Sequence, residues 1–243
     1  MPENFDPTYL NEIQSRLSYA LNRSLSIQDT QLLLLHLRYV LEANEIMNLT
    51  SISDEENGIL LHIEDSLTAL QEIDDLGKGK LVDLGSGGGF PGIPLAIVSK
   101  RETTLVEATQ KKASVLERFV HESKTCEQIT VEAKRIEEYS RTTREYFTIA
   151  TARALAPLST LMELAAPLLA TGGALVAYKG KLTEEELQRA RGAEDILGME
   201  LQSIRSFVLS DNETQRELVV FKKARDPKVA LPRRNGKAQK SPF

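Results

Sequence analysis

A glycine-rich segment in the first half of the chain places the strongest constraint on its fold. Residues 83–92 read Asp-Leu-Gly-Ser-Gly-Gly-Gly-Phe-Pro-Gly, and they follow an apolar run at 81–84 that is typical of a buried strand. Pro91 then opens a helical stretch. In a doubly wound α/β sheet, ligands bind beyond the carboxyl ends of the strands, where such loops lie. The segment therefore predicts an α/β fold with a ligand site at this loop.

Short strand patterns and helix patterns alternate after residue 80. Further strands are expected at residues 103–107, 129–132, 147–151 and 174–178, and helices at 111–123, 157–170 and 183–197. Two last strands, at 200–208 and 217–223, are separated only by a turn at 210–213 and should pair antiparallel. Five strand–helix units followed by such a hairpin resemble the Rossmann-like, mostly parallel seven-stranded sheet of class I S-adenosylmethionine-dependent methyltransferases.

The residues before this alternation read as helical. Apolar residues recur at helical spacing from Leu10 to Leu21, a second helix begins near Ser26 with Asp29 in a capping-box position, and a third covers 55–73. We therefore expect three regions. They are an N-terminal helical cap (1–79), a methyltransferase domain (80–224) and a basic tail (225–243).

The charge of the chain is unevenly distributed. Its 243 residues carry 30 Lys and Arg against 35 Asp and Glu, a formal net charge of −5. The last 22 residues hold eight of the cations and only one acid, Asp226, so residues 222–243 carry +7 and the other 221 residues −12. By composition alone, this basic segment is either a solvated tail or an arm for RNA phosphates, and the acidic body suits a cationic cofactor.

Cysteine and histidine usage excludes several kinds of site. The single cysteine, Cys126, permits no disulfide within the chain, and we expect an inert thiol there. His36, His62 and His121 lie far apart without ligand spacing, so no metal site is expected. No signal peptide and no apolar run long enough for a bilayer are visible, which predicts a cytoplasmic protein without a membrane partner.

The glycine loop fits two adenosine-containing cofactors. Its frame from Gly87 to Gly92 formally matches the dinucleotide fingerprint, but Pro91 removes an N–H donor and Asp83 places an anion beside the loop. S-adenosylmethionine carries a sulfonium and an ammonium, for which a nearby carboxylate is favourable. Glu107, at the end of the second strand, should accept hydrogen bonds from the ribose hydroxyls of either cofactor.

One block of sequence closely resembles a known family. Residues 81–96 read Leu-Val-Asp-Leu-Gly-Ser-Gly-Gly-Gly-Phe-Pro-Gly-Ile-Pro-Leu-Ala, which is similar to the signature of the bacterial 16S rRNA guanine-N7 methyltransferases called RsmG or GidB. Similar blocks follow the family order at residues 48–50, 62–66, 152–157 and 178–180, and in the basic tail at 232–236 and 240–242. The departures are Ala43 for a frequent Trp, Glu107 for Asp, Thr151 for Ser and Ile136 for Ala.

The resemblance implies a function and a set of site residues. It implies a monomer that transfers a methyl group from S-adenosylmethionine to N7 of guanine 527, in the 530 loop of 16S rRNA or of the small ribosomal subunit. The cofactor-binding residues that it implies are Gly85, Phe90, Glu107, Ala108, Thr109, Gln110, Ile136, Glu137 and Arg153. The catalytic candidates are Arg153 and Lys179, which follow the fourth and fifth strands, where a target base should enter.

The chemistry of guanine N7 agrees with this set. N7 is a neutral lone pair that can attack the methyl group in line, so no general base is needed. The chain has no Asn/Asp-Pro-Pro-Tyr/Phe motif, which an amino-methylating enzyme would show, and Cys126 lies away from the ligand edge. His62 and Asp65 fall one helical turn apart, and we expect them either to bond to each other or to hold the cap over the site.

Three rival functions remain open at this point. An NAD-dependent dehydrogenase is opposed by Pro91 and by the terminal hairpin. A methyltransferase that acts on a small molecule, a protein or another RNA has the same cofactor loop, and the basic tail argues only against the first two of these substrates. A non-catalytic nucleic-acid-binding module is opposed by the intact loop.

Overall fold

Seven strands form one mixed sheet in the computed structural model, which describes residues 5–123 and 126–243. The strands are β1 Leu81–Leu84, β2 Thr103–Val106, β3 Ile129–Glu132, β4 Phe147–Arg153, β5 Leu169–Lys179, β6 Met199–Val208 and β7 Gln215–Lys223. Their order is β3-β2-β1-β4-β5-β7-β6, with β7 antiparallel to both β5 and β6 and all other neighbours parallel. The predicted seven-stranded sheet with a terminal antiparallel hairpin is confirmed.

Helices precede the sheet and connect its strands. The N-terminal ones are α1 Pro7–Ala20, α2 Ile27–Met47, α3 Glu55–Gly58, a π-helix Ile59–Glu64, α4 Asp65–Leu67 and α5 Leu70–Asp75. The others are α6 Gly92–Ser99, α7 Gln110–Ser123, α8 Ile136–Thr142, α9 Leu158–Ala165, α10 Glu184–Leu197 and α11 Lys237–Lys240. Ser26 caps α2 as predicted, because its hydroxyl accepts a hydrogen bond from the amide of Asp29 at 3.0 Å.

The third predicted helix is not continuous. Residues 55–73 were expected to form one helix, but the structure divides them into α3, the π-helix, α4 and part of α5, with a turn at 68–69. Carbonyl groups near the break accept bonds from other elements. The Tyr178 hydroxyl donates to the carbonyl of Ser66 at 2.6 Å, and Arg205 donates to that of Thr68 at 2.6 Å. Tertiary contacts therefore accompany the irregular backbone.

The predicted boundary between the helix at 157–170 and the fifth strand is also wrong. Helix α9 ends at Ala165, just before Pro167, which lacks the N–H needed to continue a helix. Strand β5 begins at Leu169 and passes through an irregularity in its register with β4. Gly172 has φ +90° there, and an added Cβ on Gly173 would lie 2.8 Å from the carbonyl oxygen of Thr148. Two glycines thus carry the strand through a segment that looked like a loop.

Two apolar clusters cover the two faces of the sheet. One contains N-terminal helix residues such as Leu33 and Ile63 together with sheet residues such as Ile149 and Val176, all with no exposed surface. The other joins α9 and α10 to the opposite face through residues such as Met162 and Phe221. The N-terminal helices therefore share a core with the sheet, and the division into cap, domain and tail stays a prediction.

The basic tail packs on the sheet-bearing part of the molecule. Leu231 and Ala238 are buried in the second cluster. Arg233 pairs with the buried carboxylate of Glu163, and both Arg225 and Lys228 pair with Asp195 at the surface. Three of the cations expected to meet RNA phosphates are thus already bound to carboxylates. Among the described residues, no helix is long and apolar enough to cross a membrane.

Candidate active site

A cavity of about 910 Å³ opens at the carboxyl ends of the parallel strands. Its floor includes the loop after β1, the residues after β2, and the last residues of β4 and β5. The sheet order reverses between β1 and β4, and ligands of doubly wound sheets bind at such a reversal. The volume suits a ligand of cofactor size together with part of a second molecule.

The glycine loop is shaped by backbone conformations that side chains rarely adopt. Gly85 and Gly87 have φ values of +68° and +56°. A Cβ added to Gly85 would lie 2.6 Å from Leu155 Cδ1, so Gly85 is closely packed against the Leu155 side chain. At Gly87 the nearest atom would be 4.0 Å away, so that part of the loop faces open space. The loop thus forms a cradle in which the backbone itself lines the cavity.

Asp83 supports the loop and does not line the cavity. Its carboxylate is buried, accepts a hydrogen bond from the Thr151 hydroxyl at 2.7 Å and another from the amide of Gly92 at 3.3 Å. Asp83 thus lies beside the loop, as the sequence indicates, but its carboxylate is bound by the protein and does not line the cavity. Burial raises the pKa of Asp83 to about 6, although the bonds from Thr151, Ser86 and Gly92 act in the opposite direction.

Stability should depend on pH through Asp83. Because its folded-state pKa lies above that of the unfolded chain, its contribution is greatest below about pH 4 and is lost as the pH rises through about 6, a change of roughly 3 kcal/mol. In Asp83→Asn this component should be absent. The measurement is urea unfolding of both proteins at pH values from 4 to 7.5. A difference between the two unfolding free energies that stays constant with pH would contradict the assignment.

Glu107 joins the two loops at the cofactor end of the cavity. Its Oε2 accepts a hydrogen bond from the amide of Gly87 at 2.9 Å, and its Oε1 accepts one from the amide of Thr109 at 2.7 Å. The side chain still lines the cavity, although the residue is only 7% exposed. A carboxylate held in this way can still accept hydrogen bonds from ribose hydroxyls through its remaining lone pairs.

The structure brings most of the predicted site residues together. Those that line the cavity are Gly85, Phe90, Glu107, Ala108, Ile136, Glu137, Arg153 and Lys179. Thr109 and Gln110 do not line it. Gln110 begins α7, and its side-chain amide donates to the carbonyl of Ala133 at 2.8 Å, which holds the β2 and β3 loops together.

Phe90 lies between two buried histidines. The rings of His36 and His62 each have their centroid 4.4 Å from that of Phe90, and the His62 ring is nearly parallel to it. His36 Nε2 lies 2.9 Å from the carbonyl oxygen of Gly88, which accepts the bond, and burial lowers the pKa of His36 to about 3. Helix α2 therefore holds the glycine loop through a neutral histidine.

Arg153 is bound by the N-terminal helices. Its Nη1 donates to the carbonyl oxygen of Leu61 at 2.8 Å and to Asp65 Oδ2 at 3.0 Å, and its Nη2 lies 3.0 Å from His62 Nδ1. Asp65 Oδ1 also accepts a hydrogen bond from Arg216 Nε at 3.1 Å. Within residues 5–123 and 126–243, no hydrogen bond joins His62 to Asp65, so the expected bond between them is wrong, and both contact Arg153.

Lys179 has two partners at the end of β5. Its ammonium lies 2.5 Å from Glu186 Oε1 and donates to the carbonyl oxygen of Ala156 at 3.2 Å. The side chain is 15% exposed and lines the cavity. The amide of Leu158 donates to the same oxygen of Glu186 at 2.9 Å. Lys179 is therefore held at the rim and partly neutralised by α10.

Comparison with known proteins decides the family. Residues 29–219 match the family model GidB, rRNA small subunit methyltransferase G. The chain belongs to the GidB family. Ribosomal RNA small subunit methyltransferase G of Desulfitobacterium hafniense is 37% identical over 236 residues, which cover 96% of this chain and 97% of that protein. The Bacillus subtilis protein of the same name is 35% identical over 91% of this chain and 94% of its own length.

Solved structures show the same fold at low identity. A structure assigned as a sarcosine dimethylglycine methyltransferase from Galdieria sulphuraria superposes with a TM-score of 0.54 at 10% identity, covering 70% of this chain and 88% of that one. The predicted class I methyltransferase fold is confirmed. This member of the GidB family is a methyltransferase, and the glycine loop predicts S-adenosylmethionine as its methyl donor.

The cavity of this GidB family member fits that cofactor. The open side of Gly87 offers a backbone surface without a Cβ, and Pro91 offers no N–H for a pyrophosphate. The carboxylate of Glu107 lines the cavity, where it can accept hydrogen bonds from hydroxyl groups. No group of three or more His, Cys, Asp or Glu residues that could hold a metal ion occurs in the part of the chain that the structure describes.

Sequence reasoning missed part of the cavity wall. The segment 49–52, after α2, lines the cavity together with Leu61 and Tyr178. Four cationic residues at the rim were also missed: Lys112, Arg135, Lys181 and Arg216. Arg135 and Lys181 follow β3 and β5, Lys112 lies early in α7, and Arg216 lies at the start of β7. These positions in the sequence could have predicted a shared rim, because all four meet at one edge of the sheet.

Proposed function

We propose that this methyltransferase transfers the methyl group of S-adenosylmethionine to N7 of a guanine in 16S rRNA, position 527 by likeness to its family. We further propose that it acts as a cytoplasmic monomer. One observation carries the proposal. The carboxylate, imidazole and phenol groups at the target end of the cavity are already occupied by protein partners, so none of them is free to remove a proton.

The state of each group supports this statement. Asp65 binds both Arg153 and Arg216. Both ring nitrogens of His62 have partners, and burial, followed by the charge of Arg153, lowers its pKa to about 3. Burial raises the pKa of Tyr178 well above its usual value. Guanine N7 carries a lone pair and no proton, so its methylation requires orientation and not a base. Bound S-adenosylmethionine supplies the methyl group on a positively charged sulfur.

The residues at the two ends of the cavity have separate roles in this proposal. Gly85, Phe90, Glu107 and Ala108 hold the cofactor from the sides of β1 and β2, and Ile136 with Glu137 covers it from α8. Arg153 and Lys179, at the ends of β4 and β5, orient the target base. An arginine can donate to O6 beside N7 of guanine, or to a phosphate. Thr109 and Gln110 support the cofactor end only through the loops.

The rim of the cavity has the charge that an RNA strand requires. Six cationic side chains line it against three acids, Asp65, Glu107 and Glu137. Lys112, Arg135 and Lys181 form no ion pair with any residue that the structure describes. These three cations are therefore available for phosphates, whereas the tail residues Arg225, Lys228 and Arg233 are paired.

Removing the three rim cations should weaken RNA binding. In Lys112→Gln/Arg135→Gln/Lys181→Gln, the slope of log K against log salt should become shallower by about 2, because three phosphate contacts are lost. The measurement is RNA binding at several salt concentrations. A matched control replaces three exposed cations outside the cavity, Lys78, Arg191 and Lys222, by Gln. Equal slopes for the two triple variants would contradict the role of the rim.

The proposed reaction is tested with labelled S-adenosylmethionine. The protein is incubated with naked 16S rRNA, with small ribosomal subunits and without RNA, and any methylated base is mapped. A synthetic 530-loop RNA with 7-deazaguanine at the target should accept no label, whereas the same substitution at a neighbouring guanine should have no effect. Label in another RNA, in a small molecule or at a different atom would replace the proposal, and no label in RNA would refute it.

A further inference from the structure

Three contacts to Arg153 come from a single turn of irregular helix. The carbonyl of Leu61, the imidazole of His62 and the carboxylate of Asp65 lie within five residues of one another and bind the same guanidinium. Leu61 and His62 belong to the π-helix, and Asp65 begins α4. Short π-helical turns occur often at functional sites. The turn fixes the guanidinium plane at the target end of the cavity.

The partner of His62 determines its protonation state. An arginine can only donate, so Nδ1 must carry the lone pair that accepts Arg153 Nη2 at 3.0 Å. The ring is neutral, and its proton therefore lies on Nε2. That nitrogen is 2.8 Å from the Thr50 hydroxyl oxygen, which also accepts the amide of Ile52 at 3.1 Å. The Thr50 hydroxyl accepts a hydrogen bond from Nε2–H and so favours the Nε2–H tautomer, which leaves Nδ1 free to accept from Arg153.

The chain Thr50–His62–Arg153 connects two walls of the cavity. Thr50 belongs to the segment 49–52 that lines the target end from the N-terminal side, and Arg153 ends β4 on the opposite side. His62 is 7% exposed, and its ring stacks on Phe90 at the cofactor end. A single imidazole therefore links both walls to the guanidinium.

We propose that His62 is a positioning residue, which orients Arg153 for the target guanine as a neutral hydrogen-bond acceptor whose tautomer is selected by Thr50. This inference rests on the proposed function, because it assigns Arg153 to the target base. Arg153 contacts the substrate, and His62 acts through Arg153. Substitutions of His62 that keep a polar group near Nδ1 should therefore affect methylation differently from those that keep one near Nε2.

The test uses three substitutions of His62 in the full-length chain. His62→Asn keeps an acceptor near the Nδ1 position, His62→Gln keeps a polar group near the Nε2 position, and His62→Phe keeps only the stacking ring. His62→Gln and His62→Phe should lower kcat/KM for RNA about 10- to 100-fold, mainly through kcat, since an orienting contact is lost. His62→Asn should stay within about threefold of the parent, and Thr50→Val should lose about fivefold.

Binding and folding controls separate positioning from structure. The Kd for S-adenosylmethionine, measured by calorimetry, should change less than about threefold in all four variants. His121→Phe, at an exposed histidine of α7, is the matched control and should behave as the parent. Parent-like kcat/KM in His62→Phe would overturn the inference. So would equal losses in His62→Asn and His62→Phe, or losses that follow only the melting temperature.

A measurement without RNA keeps this inference separate from the proposed function. The chain has three histidines, so long-range proton–nitrogen NMR can assign each ring by substitution. His62 should show the neutral Nε2–H tautomer at pH 6, and Thr50→Val should increase the Nδ1–H form. A charged His62 at pH 6, or an Nδ1–H form in the parent, would overturn the inference. Absence of methyl transfer by the parent would instead refute the proposed function.

Discussion

Replacing Arg153 by alanine should lower kcat/KM for RNA methylation by at least about 100-fold. The substitution removes the cation that we place beside the target guanine and that three protein groups hold in orientation. A loss of about 2.7 kcal/mol in transition-state binding corresponds to a factor of 100, and removal of one partner of a buried charged contact costs 2–5 kcal/mol. Steady-state methylation of 16S rRNA and of small subunits measures the effect.

The fold should persist in this variant. Asp65 keeps Arg216 as a partner after Arg153 is removed, so its buried carboxylate is not left unpaired. The melting temperature should fall by less than about 10 °C. Arg191→Ala, at an exposed arginine of α10, is the matched control for loss of one positive charge. Full activity of Arg153→Ala would refute the role of Arg153 in catalysis.

Replacing Gly92 by alanine should weaken cofactor binding at least tenfold and lower stability. A Cβ at Gly92 would lie 2.4 Å from Leu105 Cδ2 and 2.8 Å from Asp83 Cβ, both of which are buried. The start of α6 must therefore move away from β1 and β2, at a cost of about 1–3 kcal/mol for overpacking. The glycine loop runs directly into α6, so its cradle moves as well. Calorimetric titration with S-adenosylmethionine should show at least a tenfold weaker Kd.

A second glycine provides the control for this prediction. Gly192 lies within α10, and a Cβ added there would meet nothing within 4 Å. Gly192→Ala should leave cofactor binding unchanged and raise stability by up to about 1 kcal/mol through helix propensity. If Gly92→Ala bound the cofactor as tightly as Gly192→Ala, the close packing of α6 against β1 would not be required for the site.

The sequence predicted the sheet well because its signals are local. Strands β1 and β3 are predicted at their observed residues, since β1 is a short apolar run before the glycine loop and β3 contains three β-branched residues between polar segments. The glycine loop and Glu107 could also be located, because the ends of parallel strands meet at one edge. Eight of the ten predicted site residues line the cavity for this reason.

The errors lie where distant residues decide the local structure. The break after α4 could not be seen, because the carbonyl groups of Ser66 and Thr68 accept bonds from Tyr178 and Arg205, more than 100 residues away. The same applies to Asp83, whose sequence position beside the loop did not show that Thr151 would bind it from β4. The end of α9, in contrast, has a local signal in Pro167, which lacks the N–H that would continue the helix.

The anchor of Arg153 has a consequence for synthesis of the chain. Asp65 is paired with Arg216, 151 positions later, and the neighbouring Glu64 accepts the amide of Ser210, 146 positions later. A ribosome translates both carboxylates long before either partner emerges. In the nascent N-terminal helices, Asp65 therefore has no partner until Arg153 has been made, and Glu64 has none until the hairpin of β6 and β7 is complete. We expect pulse-proteolysis of ribosome-bound chains to cleave near residue 64 until that hairpin is complete.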